Sequence, residues 1–157
     1  MRRLIFVTAF LAGFVIRFEP CFGEDPLAAT KVSVLKGLRS VALLVRASTP
    51  NEMANAGEWS DMATVGLARN APAIKISDSN SANVDWLVVE VRTTDRGAVL
   101  TLYLHRWVRV RDSGEEVFAP VWSDYTALFG GVSKSDLKGA LDTLLTSFAA
   151  DYLRANH

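Results

Sequence analysis

Apolar and polar positions alternate strictly through the middle of this chain. Val84 to Thr93, Ala98 to Arg111 and about Glu116 to Thr126 each show the two-residue period of a half-buried strand. Asp95-Arg96-Gly97 and Asp112-Ser113-Gly114 fall between these runs and are turn signals, so the three strands should form an antiparallel meander. Upstream, the short apolar run Val41 to Val45 reads as a buried strand and Ala73 to Ile76 as a brief one. The period changes in two places. Trp59, Met62, Ala63, Gly66 and Leu67 make a helical stripe between Glu58 and Asn70. Leu137, Leu141, Leu144, Leu145, Phe148, Tyr152 and Leu153 make a longer one between Lys134 and Ala155, opened by Ser133 and Asp136 at capping-box spacing. The pattern predicts a two-layer α+β sandwich. Its sheet is mainly antiparallel, in the order strand–helix–strand and then the meander, and both helices lie on one face.

Alternation also predicts which side chains share a face. With Ser113-Gly114 as a two-residue turn, Arg111 faces Glu116, Arg109 faces Phe118, Trp107 faces Pro120, His105 faces Trp122 and Tyr103 faces Asp124. One side then gathers Leu87, Val89, Val91, Leu100, Leu102, Leu104, Val108, Val117 and Val121, and should be the core. Arg106 alone interrupts that side and is expected near a strand end or bulge. The other side gathers Trp86, Glu90, Arg92, Tyr103, His105, Trp107, Arg109, Arg111, Phe118, Trp122 and Asp124, including three of the four tryptophans.

A solvated sheet face is usually threonine, lysine, serine and glutamate. Aromatic rings among arginines are the composition of an interaction surface. Trp86, Tyr103, His105, Trp107, Arg109, Arg111 and Trp122 are therefore the candidate partner-binding residues, for a protein partner in the cell envelope or for self-association, with an exposed edge strand as the alternative binding surface. Two other readings stay open. The stretch Glu24 to Lys36 could fold across the face, or the face could take a ligand such as a cell-wall glycan.

The beginning of the chain changes where it is expected to work. Met1-Arg2-Arg3 is a positive start, and Leu4 to Ile16 is an uncharged apolar run, shorter than the ~20 residues of a membrane-spanning helix. Residues 1–23 read as a removable secretory signal and 24–157 as a single domain, periplasmic or secreted, with no integral membrane span after signal removal. Cys21 is the only cysteine, and cleavage after Gly23 would leave none. That excludes disulfides, zinc–cysteine sites and a thiol nucleophile from the mature chain.

Lysine plus arginine numbers 17 and aspartate plus glutamate 17. Such a balance argues against a nucleic-acid partner, which needs a basic excess. Catalytic constellations are thin. The histidines are His105 and the terminal His157. A serine–histidine–acid set would need Ser123, His105 and Asp124, and alternation puts Ser123 on the opposite side from His105. Glu90 and Asp124 could form a carboxylate pair for glycoside cleavage on the aromatic side. The half calcium loop Asp78 to Asn83 lacks its glycine and closing glutamate. No cofactor or metal is expected, and the chain reads as a non-enzyme. The competing reading is an exported glycan-binding module or hydrolase using the same face.

Three stretches carry a resemblance: Leu38-Arg39-Ser40-Val41-Ala42-Leu43-Leu44-Val45, Val84-Asp85-Trp86-Leu87-Val88-Val89-Glu90-Val91, and Phe148-Ala149-Ala150-Asp151-Tyr152-Leu153-Arg154-Ala155-Asn156. In their order the chain resembles the TolB N-terminal domain and the outer-membrane activators of penicillin-binding proteins. Its ending resembles that of uncharacterised exported bacterial proteins. The resemblance implies a non-catalytic adaptor or interaction domain and carries over no catalytic residue.

Overall fold

A computed structural model describes residues 31–48, 55–78 and 84–157. The expected signal segment, residues 24–30 and most of the polar loop before Val84 lie outside them. The architecture is the expected two-layer α+β sandwich. A five-stranded sheet runs in the order β2-β1-β3-β4-β5, from β1 (Ser40–Ser48), β2 (Lys75–Ile76), β3 (Asp85–Thr94), β4 (Gly97–Arg109) and β5 (Glu116–Phe129). β1 lies parallel to both β2 and β3, whereas β3, β4 and β5 form the antiparallel meander. Helices α1 (Ala56–Asn70) and α2 (Lys134–Asn156) cover one face, α1 over β1 and α2 over β4 and β5.

Each helix begins where its cap allows. The Asn55 side chain accepts from the Gly57 N–H at 3.0 Å at the start of α1. At α2 the capping box forms with aspartate: Ser133 N–H donates to Asp136 Oδ2 at 2.9 Å and Asp136 N–H to Ser133 Oγ at 3.2 Å. The two helices touch closely at Gly66, where a Cβ would fall 2.5 Å from Leu145 Cδ1.

The core is the aliphatic side of the meander. Leu87, Val89, Val91, Leu100, Leu102 and Leu104 are fully buried against Trp59, Leu67, Leu141 and Phe148. Burial of each such side chain contributes about 1.5–3 kcal/mol. Leu153 departs from the expected stripe and is exposed.

The β4–β5 register differs from the expectation in two steps. The turn is longer than two residues, closed by Val110 N–H to Glu115 O at 2.7 Å and Gly114 N–H to Val110 O at 2.8 Å. The pairing slides accordingly: Arg109 faces Glu116, Trp107 faces Phe118 and His105 faces Pro120. Val121 then bulges out of the ladder, so Leu104 faces Trp122 and Tyr103 faces Ser123. Proline has no N–H to give a ladder, and a bulge beside it is its usual setting.

This extra residue reverses the alternation. Trp122 is turned into the core, 2 % exposed. Its indole Nε1–H donates to Asp151 Oδ2 on α2 at 3.0 Å, and its ring meets Phe148 edge-on at 5.0 Å. Arg154 flanks Asp151 at 3.4 Å.

Arg106 is accommodated at the end of the core side. Its guanidinium pairs with Asp85 at 3.0 Å and donates to the Val34 carbonyl at 2.7 Å. Burial pushes the Asp85 carboxyl up, against the opposing pull of Arg106.

Two substitutions test this framework by urea denaturation. Gly97 has φ of 155°, and a Cβ there would strike the Leu128 carbonyl. Gly97→Ala is expected to cost about 2–3 kcal/mol. Trp122→Phe keeps most of the packing but strips a buried hydrogen bond from Asp151, for a cost of about 1–3 kcal/mol.

Candidate functional site

Across the face opposite the two helices, register sets the neighbours. Ala42, Trp86, His105 and Pro120 form one row, and Leu44, Val88, Tyr103 and Ser123 the next. Arg46, Glu90, Thr101 and Tyr125 form a third. Trp107 with Phe118 and Arg109 with Glu116 extend the face along β4 and β5. Packed rings run along it: Tyr103 to His105 at 5.2 Å, His105 to Phe118 at 5.3 Å, and Phe118 to Trp107 at 5.3 Å. Each pair is tilted, an arrangement worth about 0.5–1.5 kcal/mol beyond area burial. Trp107 nevertheless remains 51 % exposed and Phe118 38 %.

Two open depressions mark the surface. One, of about 300 Å³, is lined by Leu44, Arg46, Trp86, Val88, His105 and Phe118. The other, of about 480 Å³, lies toward the β3–β4 turn beside Arg92, Arg96, Val99 and Phe129.

Electrostatics divide the basic residues. Arg92 is committed to Glu90 through Nε at 3.0 Å and a terminal nitrogen at 2.7 Å. Arg109 Nε donates to the Gly114 carbonyl at 3.1 Å, holding the long turn. Arg46 stands near His105, whose pKa is held below the ordinary value of 6.5 by burial and, secondarily, by that guanidinium. His105 is thus neutral at pH 7.

Of the sequence-predicted site, Trp86, Tyr103, His105, Trp107 and Arg109 lie together on this face. Arg111 does not, because β4 ends at Arg109 and Arg111 lies in the turn. Trp122 does not, because the bulge at Val121 turns it to the helices, so the three tryptophans are divided between the two sides. The same reversal corrects Asp124 and Ser123. Asp124 faces the core side, accepting from Ser147 Oγ at 2.7 Å with Lys31 at 4.0 Å, while Ser123 faces the open side opposite Tyr103. Neither a Ser123–His105–Asp124 set nor a Glu90–Asp124 carboxylate pair is assembled.

Residues 31–36 do not cross the aromatic face. Leu35 is fully buried in the core, and Arg106 and Asn156 hold the carbonyls of Val34 and Leu35. Among the described residues no cluster of His, Cys, Asp or Glu is placed to hold a metal ion, and no helix is long and apolar enough to cross a membrane.

Sequence reasoning missed Leu44 and Arg46, whose place depends on the parallel β1–β3 pairing, and also Tyr125 and Phe129. The signal for the latter pair was Pro120: read as a bulge marker, it would have sent Ser123, Tyr125, Ala127 and Phe129 outward.

No protein-family pattern matches the chain, and no curated protein matches it. Solved structures overlap with it in part. A PelC dodecamer from Paraburkholderia phytofirmans is 13% identical, with 73% of this chain and 88% of that chain covered at a TM-score of 0.39. A minor lipoprotein from Acinetobacter baumannii is 14% identical, with 74% and 90% covered at 0.28. The rare lipoprotein B from Shewanella oneidensis is 11% identical, with 71% and 91% covered at 0.25. Overlaps this partial assign the chain to no family and transfer no role to it. The resemblance to the TolB N-terminal domain and the penicillin-binding-protein activators is not shown by them.

The lowered pKa of His105 has a definite sign. The fold favours the neutral ring, so this contribution to stability is present above pH 6.5 and is lost as pH falls through the lower folded-state value. Urea unfolding at about pH 7.5 and about pH 5 should show wild type losing more stability than His105→Gln on acidification.

Proposed function

We propose that this chain is an exported, non-catalytic interaction domain that binds a protein partner through the open aromatic face of its sheet. The observation that carries the reading is the continuous row Tyr103–His105–Phe118–Trp107, half-exposed at its Trp107 end, on a face that no described helix covers. Exposed rings in a contiguous row cost solubility, and monomeric proteins seldom keep such a patch without a use for it. Tryptophan and tyrosine also dominate the energetics of protein interfaces. With Arg92 held by Glu90, Arg46 is the guanidinium beside the central rings. The face therefore suits a partner with an apolar centre and carboxylates at its rim.

The export reading rests on the signal-like stretch 1–23. The non-catalytic reading is supported by the separation of Asp124 from His105 and Glu90, which removes the acid that the hydrolase alternative required.

Affinity capture from cell-envelope extract tests the proposal with the exported protein as bait. Trp107→Ala should weaken partner binding by about 2 kcal/mol, roughly 30-fold, because an exposed anchor is lost without damage to the core. Val65→Ala, at an exposed position on α1, should leave recovery unchanged. Equal recovery with folded Trp107→Ala would count against this surface.

A further inference from the structure

We propose that two copies of this chain join along the outer edge of β5, antiparallel about a two-fold axis at Ala127, so that their sheets become continuous. The inference concerns the strand edge and does not rest on the aromatic-face reading.

β5 spans 14 residues at one margin of the sheet, whereas the opposite margin, β2, has only two. Gly130 N–H points inward to the Arg96 carbonyl at 3.1 Å. Backbone alternation therefore sends the N–H and C=O of Phe129, Ala127 and Tyr125 outward, where no strand lies among the described residues. The Tyr125 N–H is met only locally, by Asp124 Oδ1 at 3.0 Å. Edges of this kind are normally blunted by charge or proline. Pro120 and the bulge protect the first half of β5, but no charged residue or proline stands between Asp124 and Lys134. In that unprotected half Tyr125 is 68 % exposed and Phe129 89 %, the two most exposed large apolar side chains among the described residues.

The occupant follows from self-complementarity. With the axis at Ala127, Tyr125 meets the partner's Phe129 and Phe129 meets the partner's Tyr125, while the small Ala127 meets its own copy. Thr126 faces the partner's Leu128 on the other side of the sheet. Asp124 faces the partner's Gly130, so its carboxylate can stay with Ser147. Three other axes are worse. At Asp124 the axis opposes two carboxylates. At Thr126 it sets Asp124 against the partner's Leu128. At Tyr125 it runs the bulge at Val121 into the pairing. Isologous two-fold contacts are the commonest form of self-association. Trp107 and Phe118 lie outside the paired stretch and would remain available to a different partner.

The test uses the full chain carrying Cys21→Ser, which leaves an introduced thiol as the only one. Residues directly opposite in an antiparallel pair have Cα atoms about 4.5–5.5 Å apart, within disulfide range. Mild oxidation of Ala127→Cys should give a covalent dimer. Tyr125→Cys alone should not, whereas Tyr125→Cys mixed with Phe129→Cys should. Light scattering should find the wild type dimeric at micromolar concentration, and Ala127→Lys, which sets like charges on the axis, should weaken the dimer at least about tenfold with the fold intact. Trp107→Ala should remain dimeric. A monomeric wild type, or an edge filled instead by another protein's strand or by the chain's own leading segment, overturns the inference and leaves the aromatic-face reading to its own test. Equal cross-linking at every introduced cysteine would also overturn it.

Discussion

The indole of Trp122 and the carboxylate of Asp151 hold this fold in its particular form. Their hydrogen bond joins the edge strand to the long helix across the core. It exists only because one residue, Val121, is left out of the β4–β5 ladder. Without that bulge the indole would stand among the exposed rings, and Asp151 would be a buried carboxylate with Arg154 as its main partner. Such a carboxylate is costly, so the sheet's local irregularity and the helix's polar core residue depend on each other. The reversal also sends the side chains of Tyr125 and Phe129 to the face away from the helices.

Much of the architecture was legible because burial leaves periodic traces. The strands and both helices fall close to where alternation and the 3.6-residue stripe put them, and Ser133 with Asp136 announced the start of α2. The parity of β3 and β4 could be read because Leu87, Val89 and Val91 must face the same core as Leu100, Leu102 and Leu104. Beyond Pro120 the reading failed for a definable reason. Alternation carries no count of inserted residues, so Trp122 and Asp124 were assigned one step out of phase. The long turn was equally hidden, since Asp112-Ser113-Gly114 fits a tight hairpin as well as the six-residue closure that Val110 and Glu115 make. Arg111 was misplaced by that closure.

The surviving part of the candidate site is narrower and more coherent than the sequence suggested. Removing Trp122, Asp124 and Arg111 takes away an acid and a cation and leaves rings in mutual contact beside neutral His105. The change leaves a surface dominated by apolar contact. Leu44 and Arg46 join it through the parallel pairing of β1 with β3, a long-range relation with no local signature.

The first described residues and the last ones are stitched together on the helical side. Asn156 donates to the Leu35 carbonyl and accepts from the Gly37 N–H. The start of the described residues and the end of α2 therefore both lie behind the sheet. A module fused behind His157 would approach from the back and leave the aromatic front turned toward whatever lies ahead.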